Sequence, residues 1–377
     1  MNTRELRAAL LSFYEGAARD LPWRRTRDPW AIWVSEVMLQ QTRVETVIPY
    51  WERFLARFPT LTAAADAPVD DVLTLWSGLG YYRRARLLHA GAIHVRDVHG
   101  GVVPDEPEAI RGIPGVGAYT TGAIASFAFQ KPEPLVDGNV ARVLCRVFGI
   151  ESDPRRGAGQ AEVWRRAGEL VVGERPDALN NALMELGATV CAPTRPRCLV
   201  CPWREACVAR REGRAEELPV RTEKAARPRV EEIALVVQRR GQLVLVQRKK
   251  QGLYGGLWEA PRVPARDLTT ACEQVGRALG GMVSAEGGEG RVVEHVLTHR
   301  ELHVRVFEAE IDRDPALQPN DTWDAVALVE HAEGRGISTL ARKVLAATPD
   351  RRSGPDAAGD PPPRAPARSP RRARSRP

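Results

Sequence analysis

Cysteine is scarce in this chain, with six in 377 residues, which excludes a small disulfide-stapled scaffold; a chain of this size builds its own cores. No apolar run approaches the roughly 20 residues that a membrane span needs, and no secretory leader is recognisable at the first residues. Both absences point to a soluble, cytoplasmic protein. A strongly basic body is missing as well. The net charge is +7, but residues 350–377 hold eight Arg against three Asp, so +5 of that total sits in the tail. Charge alone is therefore a weak argument for a polyanionic partner. The Pro, Ala, Arg and Ser content of that tail cannot form a core, and residues 347–377 are expected to be disordered.

The length predicts two or three domains. Residues 1–215 read as helices. Asp28-Pro29 opens one as cap and first-turn pair, and Val44, Val47, Ile48, Trp51, Phe54, Leu55 and Phe58 follow a 3.6-residue period. Val140, Val143, Leu144, Val147 and Phe148 repeat it after Asp137-Gly138-Asn139. Periodicity stops between Pro219 and Pro228, which predicts a linker over 216–230. Beyond it the pattern changes. Ile233–Val237 and Leu243–Val246 flank Arg239-Arg240-Gly241 as a hairpin. Leu302, Val304 and Val306 alternate with His303 and Arg305 as in a strand, and helices are expected over 266–279 and after Ser338. The second domain, over 231–346, should be α+β.

Four of the cysteines, Cys191, Cys198, Cys201 and Cys207, are separated by six, two and five residues. Thiolates so close in sequence can converge on one small object, and a cubane iron–sulfur (4Fe-4S) cluster is the natural candidate. Zinc sites usually set two Cys-x-x-Cys pairs a dozen or more residues apart, and here there is one such pair. Cys145 and Cys272 lie in apolar periodic stretches and are expected to be core thiols. Ile113-Pro114-Gly115-Val116-Gly117 precedes a helix through Thr120, Ala123, Ile124 and Phe127. Gly115 and Gly117 permit a tight turn whose backbone N–H groups, at a helix N-terminus, can grip a phosphate.

With these features in place, the chain resembles the helix-hairpin-helix DNA glycosylases, and within them the MutY family of adenine glycosylases, over residues 5–345. The resemblance rests on Leu21-Pro22-Trp23-Arg24, Ser35-Glu36-Val37-Met38-Leu39-Gln40-Gln41-Thr42, Ser77-Gly78-Leu79-Gly80-Tyr81-Tyr82, the Ile113–Gly117 hairpin, Val136-Asp137-Gly138-Asn139-Val140 and the four cysteines. It implies an all-α glycosylase domain with a 4Fe-4S loop over 191–207. The implied reaction is removal of adenine mispaired with 8-oxoguanine, or with guanine, from duplex DNA in base excision repair. It also implies a monomeric bacterial enzyme working at the nucleoid.

Cleaving an N-glycosidic bond needs a proton for the leaving base and negative charge beside the developing oxocarbenium ion. Two carboxyl groups in different environments supply both. Glu36, among Trp33, Val37 and Leu39, should have its pKa raised by burial and is the general acid by resemblance. Asp137 opens a helix, where backbone N–H groups and the dipole favour the anion. Lyase-type relatives carry a Lys where Tyr119 stands, so a monofunctional enzyme is expected. By resemblance Gln41 enters the duplex and Tyr81 wedges beside the lesion, with Tyr82 in support. Arg24 and Asn181 match positions lining the adenine pocket, where relatives usually carry Gln or Glu in place of Asn181. Arg195, Arg197, Arg204, Arg210 and Arg211 should meet phosphates.

The second domain resembles the Nudix fold through Gly252-Leu253-Tyr254-Gly255-Gly256-Leu257-Trp258-Glu259. A Nudix hydrolase needs clustered carboxylates on the following helix to hold Mg²⁺, and Thr269-Thr270-Ala271-Cys272-Glu273-Gln274 offers one. The domain should therefore read 8-oxoguanine rather than hydrolyse a nucleotide. Leu297-Thr298-His299 stands where relatives read that base, with Thr298 and His299 as the polar groups. His295 and His303, taken singly, are expected to be strand or surface residues. The alternatives are an endonuclease III-like glycosylase/lyase acting on oxidised pyrimidines, a nucleotide-pool hydrolase, and a non-enzymatic iron–sulfur DNA-binding protein.

Overall fold

The computed structural model describes residues 1–220, 226–297, 299–332 and 335–348. The first part of the chain is helical: α1 (Thr3–Ala17), α2 (Pro29–Leu39), α3 (Val44–Arg57), α4 (Leu61–Ala65), α5 (Val69–Leu75), α6 (Arg83–Val98), α7 (Pro107–Arg111), α8 (Ala118–Phe127), α9 (Gly138–Phe148), α10 (Gly157–Val171), α11 (Pro176–Thr189) and α12 (Val208–Arg211). These helices bury two separate apolar clusters. One is built from α2 to α6 around Trp33, Phe54, Phe58 and Trp76. The other joins α1 to α9, α10 and α11 around Leu10, Val143, Leu144 and Leu186. The junction of the two clusters holds the functional site.

The second part pairs strands β1 (Arg229–Arg239), β2 (Gln242–Arg248), β3 (Trp258–Glu259), β4 (Arg262–Val263), β5 (Val283–Ala285), β6 (Arg291–Val296), β7 (Glu301–Ile311) and β8 (Trp323–Val329), with helices α13 (Leu268–Leu279) and α14 (Thr339–Ala346). The sheet runs β3-β2-β1-β7-β5, with β4 on β1, β6 on β7 and β8 on β2. β1 and β7 lie parallel from Arg229↔Glu301 to Gln238↔Glu310. Ile233, Leu235 and Val237 face α13, while Ala234 and Val236 face α14. Burial of both faces explains the unbroken apolar run there. The expected hairpin closes through Arg240 and Gly241, both at positive φ (50° and 76°), as a two-residue turn of twist-compatible hand requires. The helices expected over 266–279 and after Ser338 are α13 and α14, capped by Asp267 and Ser338.

Part of the stretch expected as a linker is fastened down. Leu218 is buried, and its carbonyl accepts from Arg146 Nε at 2.9 Å; β1 already begins at Arg229, where β7 offers it a partner. Residues 221–225 and 349–377, the latter most of the expected disordered tail, lie outside the described residues. The two domains meet along α5 and α6. Leu257 of the second domain is buried in the first domain's cluster. Tyr82 Oη donates to the Ile337 carbonyl at 2.6 Å, and Arg342 donates to Ser77 Oγ. Among the described residues, no helix is long and apolar enough to cross a membrane.

Candidate active site and metal centre

α2 begins where Asp28 accepts from the N–H groups of Trp30 and Ala31, with Pro29 at the first helical position. Every residue from Trp30 to Met38 is buried, so Glu36 has no solvated helix face to occupy. Its one hydrogen-bond partner among the described residues is Tyr119 on α8, whose hydroxyl donates to Glu36 Oε2 at 2.6 Å. Burial pushes the Glu36 carboxyl up to about 7; the Tyr119 hydrogen bond opposes this, and the nearby Asp137 charge adds to it. Burial holds the Tyr119 phenol well above its ordinary value, so it remains a donor.

Asp137 is the cap of α9. Its Oδ1 accepts from Asn139 N at 2.9 Å and Val140 N at 2.7 Å, while Asn139 Nδ2 donates to Oδ2 at 2.9 Å. The expected anion-favouring donors are therefore present. Burial nevertheless outweighs them, and the carboxyl lies above its ordinary value.

Both carboxyl groups line one cleft of about 650 Å³, together with Trp23, Leu39, Gln40, Tyr119, Val136 and Met184. Arg24, Gln41 and Asn181 line the same cleft. Arg24 Nη2 is held by Glu185 Oε2 at 2.8 Å, and Arg19 Nε meets Glu185 Oε1 at 2.6 Å. Glu185 is fully buried. Asn181 turns its amide to the Asp177 carbonyl at 3.0 Å. Sequence reasoning missed Glu185, Asn139 and the bond from Tyr119 to Glu36. The signal for Glu185 was the one that revealed Glu36, an acid inside an apolar helical run, Ala182-Leu183-Met184-Glu185-Leu186.

Gln41 and Tyr81 are exposed and both adopt left-handed backbone conformations, at φ 58° and 50°. Such strain in non-glycine residues concentrates at functional sites. Tyr82 is buried and supports the turn, its hydroxyl accepting from Gly78 N at 3.3 Å. In the α7–α8 hairpin only Gly115 requires its glycine conformation, at φ 82°, and a Cβ there would lie 2.6 Å from Leu87 Cβ. Gly117 is extended, contrary to the reading that both glycines serve the turn. Its α-carbon faces open space, which leaves room for a ligand to approach the backbone at the start of α8.

Cys191, Cys198, Cys201 and Cys207 surround a common cavity between α9, α11 and α12. Arg146 Nη1 lies 3.3 Å from Cys191 Sγ. Backbone N–H groups reach two of the other sulfurs, from Trp203 to Cys201 and from Ala209 and Arg210 to Cys207. Among the described residues no three His, Cys, Asp or Glu side chains are close enough to hold a single metal ion. Four thiols around a cavity with N–H donors on the sulfurs suit a polynuclear cluster better than one tetrahedral ion. Arg195, Arg197, Arg204 and Arg211 are exposed on this loop, while Arg210 is half-buried and pairs with Glu205 at 3.8 Å. Cys145 is buried in the core and Cys272 half-buried beneath the sheet.

In the second domain the β6–β7 turn carries an exposed His299 and a half-buried Leu297, whose N–H donates to the Arg300 carbonyl at 2.8 Å. Thr298 lies outside the described residues. His295 meets Tyr254 at a tilt, with ring centroids 6.4 Å apart and the planes at 51°, and His303 lies 3.5 Å from Glu294. The described cleft lining comes from the first domain alone.

Residues 34–168 match the HhH-GPD superfamily of base excision DNA repair proteins, and residues 233–347 match the NUDIX domain. The adenine DNA glycosylase of Homo sapiens is 36% identical over 401 residues, which cover 90% of this chain and 73% of that protein. The adenine DNA glycosylase of Mycolicibacterium smegmatis is 43% identical over 208 residues, covering 52% of this chain and 69% of the relative. The structure of a thermostable thymine-DNA glycosylase superposes with a TM-score of 0.52 at 31% identity, covering 56% of this chain and 97% of that one. The sequence likeness spans both domains, and the chain belongs to the adenine DNA glycosylase family, DNA N-glycosylases of base excision repair.

Proposed function

We propose that the chain excises adenine paired with 8-oxoguanine, and with guanine, from duplex DNA, by hydrolysis and without cutting the strand. The observation that carries the chemistry is Glu36, buried with no ion pair among the described residues and shifted to about 7, facing the same cleft as Asp137. Neutral Glu36 donates its proton to a ring nitrogen of the extruded adenine. The glycosidic C–N electron pair then leaves with the base, and positive charge develops on the sugar. Asp137, with three N–H donors to stabilise its ionised form, stabilises that charge through space or by transient attack. Water adds hydroxide to the anomeric carbon and returns its proton to Glu36. The pocket takes its shape from Arg24 and Asn181. Gln41 enters the duplex where the base leaves it and Tyr81 wedges beside the oxidised base, offsetting an extrusion that costs a few kcal/mol.

Tyr119 occupies the position of the lyase Lys and offers no amine for a Schiff base; its hydroxyl instead orients Glu36. Cys191, Cys198, Cys201 and Cys207 would hold a 4Fe-4S cluster, which when bound rigidifies a loop whose exposed arginines meet DNA phosphates. The first turn of α8, with Gly115 and Gly117, takes a further phosphate. His299, with Thr298, reads the oxidised base from the second domain.

The test is release of adenine from duplexes with 8-oxoguanine, guanine or cytosine opposite, in the presence of borohydride. Release favouring 8-oxoguanine, with no trapped protein–DNA adduct, is expected. Equal release from all three, or a trapped adduct at the rate of base release, would overturn the reading. The purified protein should also carry about four iron and four sulfide per chain, lost on Cys198→Ser.

A further inference from the structure

Arg84 is a buried guanidinium, 8% exposed, and no carboxylate among the described residues pairs with it. Five oxygen atoms hold it instead. Its Nη1 donates to the carbonyls of Val37 at 2.7 Å, Met38 at 2.8 Å and Gln40 at 2.6 Å. Its Nη2 donates to Thr42 Oγ1 at 3.1 Å and to the Gly80 carbonyl at 3.2 Å. The guanidinium also sits 5.5 Å from the ring centroids of both Trp76 and Tyr81. Desolvation lowers its pKa to about 10, and an unpaired charge is costly to bury unless hydrogen bonds replace its hydration, as the five oxygens do here.

The acceptors come from two separate turns. One is the end of α2, which continues from Glu36 into the strained Gln41. The other is the Gly80 turn, which carries the strained Tyr81. A lysine could supply the charge, but its compact ammonium cannot span both turns as a planar fork does. We propose that Arg84 is a positioning residue that fixes the Gln41 and Tyr81 turns relative to each other, so that both side chains enter the duplex together when the adenine leaves it. This rests on the assignment of Gln41 and Tyr81 as the residues that fill the stack.

The experiment compares single-turnover adenine release by the full chain from two duplexes. In one the adenine faces 8-oxoguanine; in the other it faces an abasic position, where less stacking and pairing must be broken. Gln41→Ala and Tyr81→Ala should slow the first far more than the second, and equal effects would instead sink the stack-filling assignment. Arg84→Lys and Arg84→Met should then show the same asymmetry, with about 100-fold loss on the paired substrate and little on the unpaired one. Equal loss on both substrates, or no loss while the Gln41 and Tyr81 variants are impaired, overturns the proposal for Arg84. If Arg84→Met does not fold, Thr42→Val, which removes one acceptor, should give a weaker form of the same asymmetry, and its absence counts against the proposal equally.

Discussion

Each domain buries acidic side chains, but in opposite company. In the sheet domain Glu259 is 3% exposed and meets Arg248 Nε at 2.5 Å and Arg262 Nη2 at 3.1 Å. Arg262 reaches Glu232 as well. In the helical domain Glu36 is also 3% exposed, yet its hydrogen-bond partner is a phenol. The helical domain contains its own control, because Glu185, next to Met184 on α11, is fully buried and clamped by Arg19 and Arg24. Burial against a guanidinium fixes a charge and builds structure; burial against a hydroxyl leaves a carboxyl able to keep its proton near neutral pH. The same residue type is thus a strut in one place and, on the proposed mechanism, a proton donor in the other.

The comparison breaks most visibly at Glu36. Glu36→Gln should cut adenine release by about 10²- to 10⁴-fold while leaving duplex binding largely intact, measured by single-turnover kinetics and electrophoretic shift. Unimpaired release would mean that the proton comes from elsewhere. For the intact enzyme, a reaction needing neutral Glu36 should slow about tenfold per pH unit above about 7. A rate that holds level to pH 9 would contradict that protonation state.

In Glu36→Gln, stability should move opposite to activity. A carboxyl raised from 4.5 to about 7 is neutral in the folded chain and ionised in the unfolded chain between those values. Folding stability therefore falls as pH rises through that window, by roughly 3 kcal/mol in total, and stays lower above it. Glu36→Gln removes this penalty, so at pH 8 the variant should melt higher than the parent, while near pH 4 the advantage should vanish. Glu259→Gln should do the reverse. Removing one member of a buried, paired network leaves Arg248 and Arg262 under-compensated and should destabilise the sheet domain by about 3–5 kcal/mol, read from denaturant unfolding. An unchanged midpoint would mean that solvent reaches the network.

Local chemistry was legible in the sequence. The Asp28-Pro29 start of α2, the Asp137 cap and the Arg240-Gly241 hairpin depend on neighbours within a few residues, and each stands where expected. Glu36 was visible because an acid amid Trp33, Val37 and Leu39 is anomalous. Its partner was not, since Tyr119 lies 83 residues away and meets it only because α2 packs on α8. Glu185 and Arg84 escaped for the same reason, since the donors that hold Glu185 and the acceptors that hold Arg84 come from distant segments of the chain. That Leu218, in the expected linker, is fastened to the first domain was not legible either, because Pro-rich composition says nothing of a distant arginine, Arg146, that holds its carbonyl.

The smallest effect concerns lesion reading, which the proposed function assigns to an exposed turn of the second domain instead of a buried charge. His299 is exposed on the β6–β7 connection, so His299→Ala leaves no cavity and should not alter folding. A hydrogen bond to one base atom is worth about 1 kcal/mol net. The variant should therefore reduce the rate advantage of 8-oxoguanine over guanine about fivefold, leaving release opposite guanine unchanged. Deleting the whole domain is a poorer test, because Leu257 fills the first domain's core and its loss would disturb both functions together. If His299→Ala slows release equally opposite both bases, the turn contributes general DNA affinity, and discrimination of the oxidised base must come from the side chains around the catalytic cleft.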